Sequence, residues 1–218
     1  MYIEIKKFLS KKNINIKGVV HVGAHKAEEL NLYRSLKIKN VLLFEANPSL
    51  IKFLRFKSSV FNFLFNMNVS IENKALLDSV GEVNLNITSN SQSSSILNLK
   101  EHALMYPEIK KIKQIKISSS TLNNEFDLKY NIKNYNMLNM DIQGSELLVL
   151  KGSSNILKNF DLIYTEINFK EMYEDCALAH DLDEFLKNFG FFRCVTSTPE
   201  SEFWGDAIYL NKRLRLDL

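Results

Sequence analysis

The sequence predicts an α/β fold with a seven-stranded, mainly parallel sheet covered by helices on both faces. Short apolar runs closed by turn residues alternate along the 218-residue chain with stretches of helical periodicity. The first run, GVVHVGAH at residues 18–25, ends in a turn at Gly23. The second lies in LLFEANP at residues 42–48 and ends at Glu45, 22 positions after Gly23. A glycine turn followed at this distance by a strand-end carboxylate is typical of the first half of a nucleotide-binding α/β domain.

Seven apolar runs are predicted to form the strands of this sheet. They cover residues 19–24, 41–46, 69–74, 135–142, 162–167, 191–197 and 207–210. Helical periodicity covers residues 27–36, 49–56, 145–151 and 182–189. The second of these helices follows Pro48, with Ser49 as its predicted cap. Because strands alternate with helices, the sheet is expected to be parallel and covered on both faces.

One segment departs from this alternation. Residues 80–88 and 112–120 alternate apolar and polar side chains, as half-exposed strands do. Between them lie the polar loop SNSQSSS at residues 89–95 and a short helical stretch around residues 102–106. We interpret residues 80–120 as a β-containing insertion lying over one end of the sheet. A single domain is expected to span residues 1–218, with its core at about residues 17–210.

Bulk properties favour a folded protein without a polyanionic partner. The chain is 45% hydrophobic and 24% charged, with a formal net charge of +3. Its one local basic excess, at residues 110–116, is interpreted as a solvated face, with a contact to phosphate or an acidic glycan as the alternative. The only two cysteines, Cys176 and Cys194, do not make a disulfide framework, which favours a reducing compartment. Without a signal-peptide pattern or a run of ~18 apolar residues, we predict a cytoplasmic protein with no membrane span and no nucleic-acid partner.

Polar residues gather directly after the predicted strands, at the edge where open parallel sheets bind ligands. A purely structural domain does not need this concentration. The candidates are His21, Gly23, Ala24 and His25 after the first strand, Glu45 and Asn47 after the second, Asn73 and Ala75 after the third, Asp141, Gln143 and Glu146 after the fourth, and Glu166 and Asn168 after the fifth.

The glycine turn itself narrows the class of ligand. GAHKAEE contains one glycine, whereas a dinucleotide site needs a second so that the backbone can approach a pyrophosphate. This counts against NAD and FAD. A ligand with ribose and adenine but no phosphate fits better, and S-adenosylmethionine is such a ligand. Glu45 can accept hydrogen bonds from both ribose hydroxyls.

Each candidate carboxylate has a structural alternative. Asp141 is favoured as functional, because an aspartate in a buried strand is costly unless it is paired or has a function. The same argument applies to Glu166, whose alternative is a buried salt bridge with a lysine or arginine. Glu146 falls in the first turn of a helix, where it could simply complement the helix dipole.

Of the four histidines, only His21 is a candidate catalytic residue. His21 lies within an apolar strand, where a satisfied core histidine is an equal alternative to a functional one. His25, His102 and His180 fall in loops or at helix starts and are expected to be exposed rather than catalytic. No histidine or carboxylate pair has metal-site spacing, so no metal is predicted.

Taken together, these motifs resemble the FkbM-type methyltransferase family over about residues 17–210. The blocks that carry the resemblance are VVHVGAHKAEELNLY, VLLFEANP, IENKALLDSVGEVNLNIT, SQSSSIL, NMDIQGSELLVLKGSSNIL, LIYTEIN and LDEFLKNFGF. Most specific are DIQGSELLVLKG, NKALLDSVGEVNL and the serine loop. The resemblance implies a Rossmann-like class I methyltransferase fold and S-adenosylmethionine-dependent O-methylation. Substrates of the family include sugars of surface glycans and hydroxyls of natural products.

The resemblance also implies roles for individual residues. On the cofactor side, Gly23, Ala24 and His25 would meet the methionine part, Glu45 and Ala46 the ribose, Asn73 and Ala75 the adenine, and Asp141 the amino group. On the acceptor side are Ser93, Ser94, Ser95 and Glu146. Two positions depart from the common pattern, because His21 stands where many members carry Asp and Ala27 where many carry a second Gly.

The resulting hypothesis is an O-methyltransferase acting on a saccharide or a similar hydroxylated acceptor. Positioning of the acceptor oxygen and the methyl carbon would provide much of the rate enhancement. A general base would take the hydroxyl proton, with Asp141, Glu166 and His21 as candidates in that order. The altered turn motivates an alternative, a non-catalytic module with a weakened cofactor site that binds a partner. An NAD-dependent oxidoreductase is the least favoured possibility.

Overall fold

The computed structural model describes residues 3–214 of the chain. Its strands are β1 (Gly18–Val22), β2 (Asn40–Phe44), β3 (Asn68–Glu72), β4 (Ala75–Leu76), β5 (Gly81–Thr88), β6 (Lys111–Ser120), β7 (Met137–Met140), β8 (Leu162–Asn168), β9 (Phe191–Ser197) and β10 (Trp204–Asn211). Its α-helices are α1 (Ile5–Lys11), α2 (Leu30–Ser35), α3 (Pro48–Phe65), α4 (Glu101–Met105), α5 (Leu122–Leu128), α6 (Glu146–Lys151) and α7 (Ala179–Asn188). Residues 1–2 and 215–218 of the predicted domain lie outside the described residues.

A seven-stranded sheet in the order β3-β2-β1-β7-β8-β10-β9 forms the centre of the molecule. All its strands are parallel except β10, which pairs antiparallel with both β8 and β9. This confirms the predicted mainly parallel sheet. The strand order reverses between β1 and β7, and such a switch point opens a crevice at the carboxyl ends of the strands.

Two apolar layers, one on each face of the sheet, hold the helices in place. Alternate side chains of β1 point to opposite layers, as Val19 and Val20 do. Helices α1, α2 and α3 pack in the layer that contains Val19. Helices α5, α6 and α7 pack in the layer that contains Val20. All five residues of β1 are buried, which explains why this strand appears in the sequence as a continuous apolar run.

Strands β5 and β6 of the insertion form a small separate sheet together with β4, in the order β4-β6-β5. Strands β5 and β6 pair antiparallel along their length, and this confirms the predicted half-exposed strands. The two-residue strand β4 was not predicted, and it adds to β6 in parallel.

Several element boundaries differ from the prediction. Helix α3 continues for nine residues beyond the predicted end at residue 56. The prediction ended early because exposed apolar residues form a second stripe, which interrupts the simple amphipathic pattern. Its cap is Asn47 rather than Ser49, since the Asn47 side chain accepts from the Ser49 N–H at 3.1 Å. Helices α1 and α5 were not predicted. None of the helices within residues 3–214 is both long enough and apolar enough to cross a bilayer.

Candidate active site

A cavity of about 640 Å³ lies at the carboxyl ends of β1, β2, β7 and β8. Most of the residues predicted to form the site line it. They are His21, Gly23, Ala24, His25, Glu45, Ala46, Ala75, Ser93, Ser94, Ser95, Asp141 and Glu166. Asn73 and Glu146 are not among the lining residues. Residues 90–96 of the insertion form one wall of this cavity.

The turn after β1 is tight because it packs against the end of β7. Gly23 has a φ of +82°, and its N–H and that of Ala24 both donate to the Phe44 carbonyl at 3.0 Å. A Cβ on Gly23 would lie 2.0 Å from the backbone oxygen of Asp141. Glycine is therefore required by the close approach of two strand ends, and that approach brings the turn beside Asp141.

The turn continues through two further residues in the left-handed region, which is why α2 begins later than predicted. His25 has a φ of +45° and Ala27 a φ of +50°. The ammonium of Lys57 in α3 donates to the carbonyls of Lys26 and Ala27 at 2.7 and 2.8 Å. Lys57 thus stabilises a bend that is built without a second glycine.

Glu45 is buried and held in one orientation by backbone amides. One carboxylate oxygen accepts from the His25 N–H and the other from the Asn47 N–H, both at 2.7 Å. Burial raises the pKa of Glu45, and these two donors oppose the shift. Asn73 lies behind this loop, because its amide donates to the Glu45 and Ala46 carbonyls at 2.8 and 3.3 Å. The structure therefore gives Asn73 a supporting position rather than one on the cavity surface.

The insertion is fastened to the strand ends by two hydrogen bonds across the cavity. The imidazole of His25 lies 2.9 Å from Glu28 through Nδ1 and 2.8 Å from the Ser91 hydroxyl through Nε2. The Ser95 hydroxyl donates to the Gln143 carbonyl at 2.8 Å. His25 is therefore partly enclosed, contrary to the expectation that it would be exposed. Ser91 is a lining residue that was not singled out, although it belongs to the predicted serine loop.

His21 is a buried histidine that also reaches the cavity surface. It is buried, and Tyr33 lies 3.2 Å from its Nδ1 through the phenol oxygen, which also accepts from Asn139 at 2.8 Å. Burial lowers the pKa of His21, so the imidazole is neutral at pH 7. The ring also lines the cavity. A polar network thus supports the histidine at this position.

Gln143 links two of the carboxylates that line the cavity. The Gln143 amide nitrogen donates to Asp141 at 2.7 Å and to Glu166 at 3.0 Å. Its amide oxygen accepts from the Tyr173 hydroxyl at 2.5 Å. Asp206 lies opposite Glu166 in the β10–β8 register and accepts from Tyr164. Gln143 is therefore the residue that orients this carboxylate cluster.

Asp141 follows the end of β7 and faces the cavity, so the prediction that it lies inside a buried strand was wrong. Although its side chain is exposed to the cavity, the surrounding protein atoms and the charge of Asp206 raise its pKa to about 6. Burial and the neighbouring acids raise the pKa of Glu166 well above its usual range. Within residues 3–214, no lysine or arginine forms an ion pair with Glu166, in contrast to the buried salt bridge considered above. The cluster is thus suited to a cationic ligand.

The raised pKa of Glu166 predicts a pH-dependent gain in stability for Glu166→Gln. A carboxyl whose folded pKa exceeds its unfolded value destabilises the fold above the unfolded pKa, and the penalty disappears as pH falls below it. Thermal melts at about pH 8 should show Glu166→Gln more stable by a few degrees, on the scale of ~1 kcal/mol, with the difference shrinking toward pH 4.5. The exposed Glu184→Gln is the control. A gain that is equal at both pH values would contradict this explanation.

Glu146 is buried and stabilises the loop after β7 through hydrogen bonds to its backbone. Its carboxylate accepts from the N–H groups of Ile142 and Gly144 at 3.0 and 3.3 Å. Burial raises its pKa to about 7. Because Glu146 does not line the cavity, its predicted place at the acceptor has no support in this geometry, and it holds the Asp141–Gln143 loop instead.

His102 was expected to be exposed and is instead buried in the cavity wall. Helix α4 carries it, and its ring lies between those of Tyr106 and Tyr173, with centroids 5.0 and 5.4 Å away. Burial lowers its pKa. Its Nδ1 has no hydrogen-bond partner within the described part of the chain. His180, by contrast, is exposed as predicted.

Comparison with known proteins identifies this arrangement. A sequence profile of the Methyltransferase FkbM domain matches residues 21–192. A search of curated proteins found no match. Among solved structures, the fold is similar to the magnesium protoporphyrin IX methyltransferase of Synechocystis PCC 6803 with bound S-adenosylmethionine. The TM-score is 0.54 at 9% identity, over 95% of this chain and 76% of that one.

A second similar structure is a putative tRNA (m1A22) methyltransferase of Streptococcus pneumoniae. It has a TM-score of 0.52 at 11% identity, over 97% of this chain and 71% of that one. At such low identities these likenesses concern the fold alone, whereas the profile covers most of the chain and the motifs at the strand ends. The chain therefore belongs to the FkbM family of S-adenosylmethionine-dependent methyltransferases.

Proposed function

We propose that the protein transfers the methyl group of S-adenosylmethionine to a hydroxyl of a saccharide, such as a surface glycan or nucleotide sugar, or of a similar hydroxylated small molecule. The observation that carries the proposal is one cavity that places a fixed strand-end carboxylate, Glu45, and the Asp141–Gln143–Glu166 cluster opposite a polar insertion loop. Family membership identifies an enzyme, so the non-catalytic alternative suggested by the altered turn is not retained.

The cofactor side of the cavity has the donors and acceptors that S-adenosylmethionine requires. Each carboxylate oxygen of Glu45 accepts one backbone N–H and keeps a second acceptor position for a ribose hydroxyl. Ala46 and Ala75 offer small apolar surfaces for the ribose and adenine. The carboxylates around Gln143 suit the ammonium and sulfonium groups, because opposite charges stabilise one another strongly in an enclosed site.

The acceptor side is polar and aromatic, which is suited to a sugar. Hydroxyls of Ser93, Ser94 and Ser95 belong to the insertion wall, and the rings of Tyr106 and Trp204 line the same cavity. A sugar presents hydroxyls at its edge and an apolar face, so both kinds of wall can contact it. Loops of this kind commonly determine specificity on a rigid scaffold.

Asp141 is the best candidate for the general base. It faces the cavity, Gln143 fixes one of its oxygens, and a pKa of about 6 leaves it ionised at neutral pH. Burial and the neighbouring acids raise the pKa of Glu166, which disfavours its ionised form, and the Nδ1 of His21 faces the Tyr33 phenol oxygen. In the proposed reaction the acceptor oxygen bonds to the methyl carbon, the carbon–sulfur electron pair returns to sulfur, and the hydroxyl proton passes to Asp141.

The proposal further places the enzyme in the cytoplasm, with a small-molecule or glycan acceptor. Support comes from Cys176 and Cys194, which are both free thiols. Unpaired cysteines are typical of a reducing compartment.

Two measurements test this function. Calorimetry with S-adenosylhomocysteine should show saturable binding, and methyl-labelled cofactor should label members of a panel of nucleotide sugars and methyl glycosides. The label on the products should remain attached in mild base, as expected for a methyl ether, whereas a methyl ester would lose it. No binding at millimolar S-adenosylhomocysteine would refute the cofactor site, whereas binding with transfer only to nitrogen or carboxyl acceptors would refute O-methylation.

A further inference from the structure

Helix α3 carries an unusual second apolar stripe on its outward side. The outer aromatic face, as we name it, consists of Phe53, Phe56, Phe63 and Leu64, which are 47%, 69%, 88% and 61% exposed. At 100° per residue these side chains fall within roughly 100° of arc. They lie on the side opposite the buried stripe of Ile51, Leu54 and Phe61. A helix that packs only against its own core needs only the buried stripe.

The charged side chains of helix α3 itself are all basic. Lys52 and Arg55 are exposed beside it, and residues 48–65 contain no acidic residue. Over residues 3–65 there are twelve lysines and arginines against four glutamates, a balance of +8, although the whole chain carries only +3. The remainder of the chain is therefore acidic, at −5. Such a charge asymmetry indicates a basic interaction surface.

The fold concentrates this charge instead of dispersing it. Helices α1, α2 and α3, which all belong to residues 3–65, pack in the same apolar layer and so lie on the same face of the sheet. In α1, Lys6, Lys7 and Lys11 are exposed. The outer aromatic face thus projects from the basic side of the molecule.

We propose that the outer aromatic face docks on an anionic lipid surface. Helices that lie at a membrane interface typically combine projecting phenylalanine and leucine side chains with flanking lysine and arginine. The rings then lie at the acyl boundary and the cations at the headgroups. The exposed rings carry no hydrogen-bonding group, so an apolar phase stabilises them better than a polar partner does. The enzyme is then a peripheral membrane protein, a property independent of its acceptor.

Charge disfavours the other occupants of this face. A second copy docked through α3 would offer Lys52 and Arg55 no acidic partner on the facing α3, because residues 48–65 contain none. Nucleic acid would satisfy the basic residues, but Leu64 offers a base neither stacking nor hydrogen bonds. An anionic bilayer satisfies both the charges and the apolar side chains.

Co-sedimentation with vesicles tests the proposal. The full-length protein should bind phosphatidylcholine vesicles that contain phosphatidylglycerol, bind pure phosphatidylcholine vesicles much more weakly, and lose affinity as salt rises. The double variant Phe56→Ser/Phe63→Ser should bind the anionic vesicles at least about tenfold more weakly. Lys52→Glu/Arg55→Glu should remove the preference for anionic lipid.

A matched control separates the position from the loss of apolar surface. Leu104→Ser/Leu128→Ser removes two leucines that are 75% and 78% exposed on α4 and α5, and it should bind vesicles like the wild type. All variants should keep the wild-type melting temperature, because the substituted side chains are exposed. They should also keep the wild-type affinity for S-adenosylhomocysteine, because none of these side chains lines the cavity.

Other results would overturn the proposal. Absence of binding to anionic vesicles, or equal losses in the α3 variant and the leucine control, would exclude docking through this face. Dimerisation in sedimentation velocity that Phe56→Ser/Phe63→Ser abolishes, without vesicle binding, would assign the face to a second copy. Retention of labelled tRNA without vesicle binding would assign it to nucleic acid.

Discussion

Glu45→Ala is expected to weaken the affinity for S-adenosylhomocysteine about 100-fold or more. Hydrogen bonds to a charged acceptor contribute ~1.5–3 kcal/mol each, and the proposed site provides two to the ribose. Every ~1.4 kcal/mol corresponds to tenfold in affinity. The variant also releases the N–H groups of His25 and Asn47 that shape the cofactor turn. Isothermal titration calorimetry measures the loss directly.

Two further variants separate ribose binding from support of the turn. Glu45→Gln keeps the size of the side chain and one good acceptor, so we expect a smaller loss of about tenfold. Glu72→Ala removes the carboxylate at the end of the neighbouring strand, where it pairs with Lys129 and Tyr130 outside the cavity. Its affinity for S-adenosylhomocysteine should match that of the wild type. Unchanged affinity in folded Glu45→Ala would remove Glu45 from the cofactor site.

The sheet and its ligand-binding edge could be predicted because their causes are local. Strands buried on both faces are predominantly apolar, as in β1 and β8, and their polar residues gather toward the carboxyl ends. Parallel strands bring these ends to one edge, so Gly23, Glu45, Asp141 and Glu166 could be placed together without knowledge of their contacts.

Properties that depend on distant contacts could not be predicted in this way. Gln143 joins Asp141 to a strand 23 residues later, and the His25–Ser91 contact spans 66 residues. His102 sits on a five-residue helix whose sequence gives no sign of burial, yet the rings of Tyr106 and Tyr173 cover it. Such contacts arise from the packing of the insertion, which one sequence does not reveal.

The length of α3 was underestimated for a related reason. Predicting helix ends from a single apolar stripe assumes that the opposite side is polar. Phe56 and Phe63 break that assumption, and Asn66, with a φ of +49°, provides the stop instead. The exposed apolar residues that misled the prediction do not pack in the core, so their presence on α3 needs another explanation.

Gly23→Ala is expected to be strongly destabilising. Two costs combine, because residue 23 has a left-handed φ of +82° and its new Cβ would lie 2.0 Å from the Asp141 carbonyl oxygen. The left-handed conformation costs an L-residue roughly 1–2 kcal/mol, and overpacking against rigid backbone typically adds about 1–3 kcal/mol. We expect about 3 kcal/mol or more of lost stability in urea unfolding.

Two other glycines allow these costs to be measured separately. Gly190 has the same φ of +82°, but its nearest neighbour is 3.9 Å from the added Cβ, so Gly190→Ala should show only the conformational cost of about 1–2 kcal/mol. Gly81 has neither constraint, and Gly81→Ala should stay within about 0.5 kcal/mol of the wild type. If Gly23→Ala costs no more than Gly190→Ala, the turn can move away from Asp141, and the tight junction of β1 with β7 does not set the position of the cofactor turn. If it costs more and the folded fraction also loses S-adenosylhomocysteine, that junction positions both the turn and the carboxylate beside it.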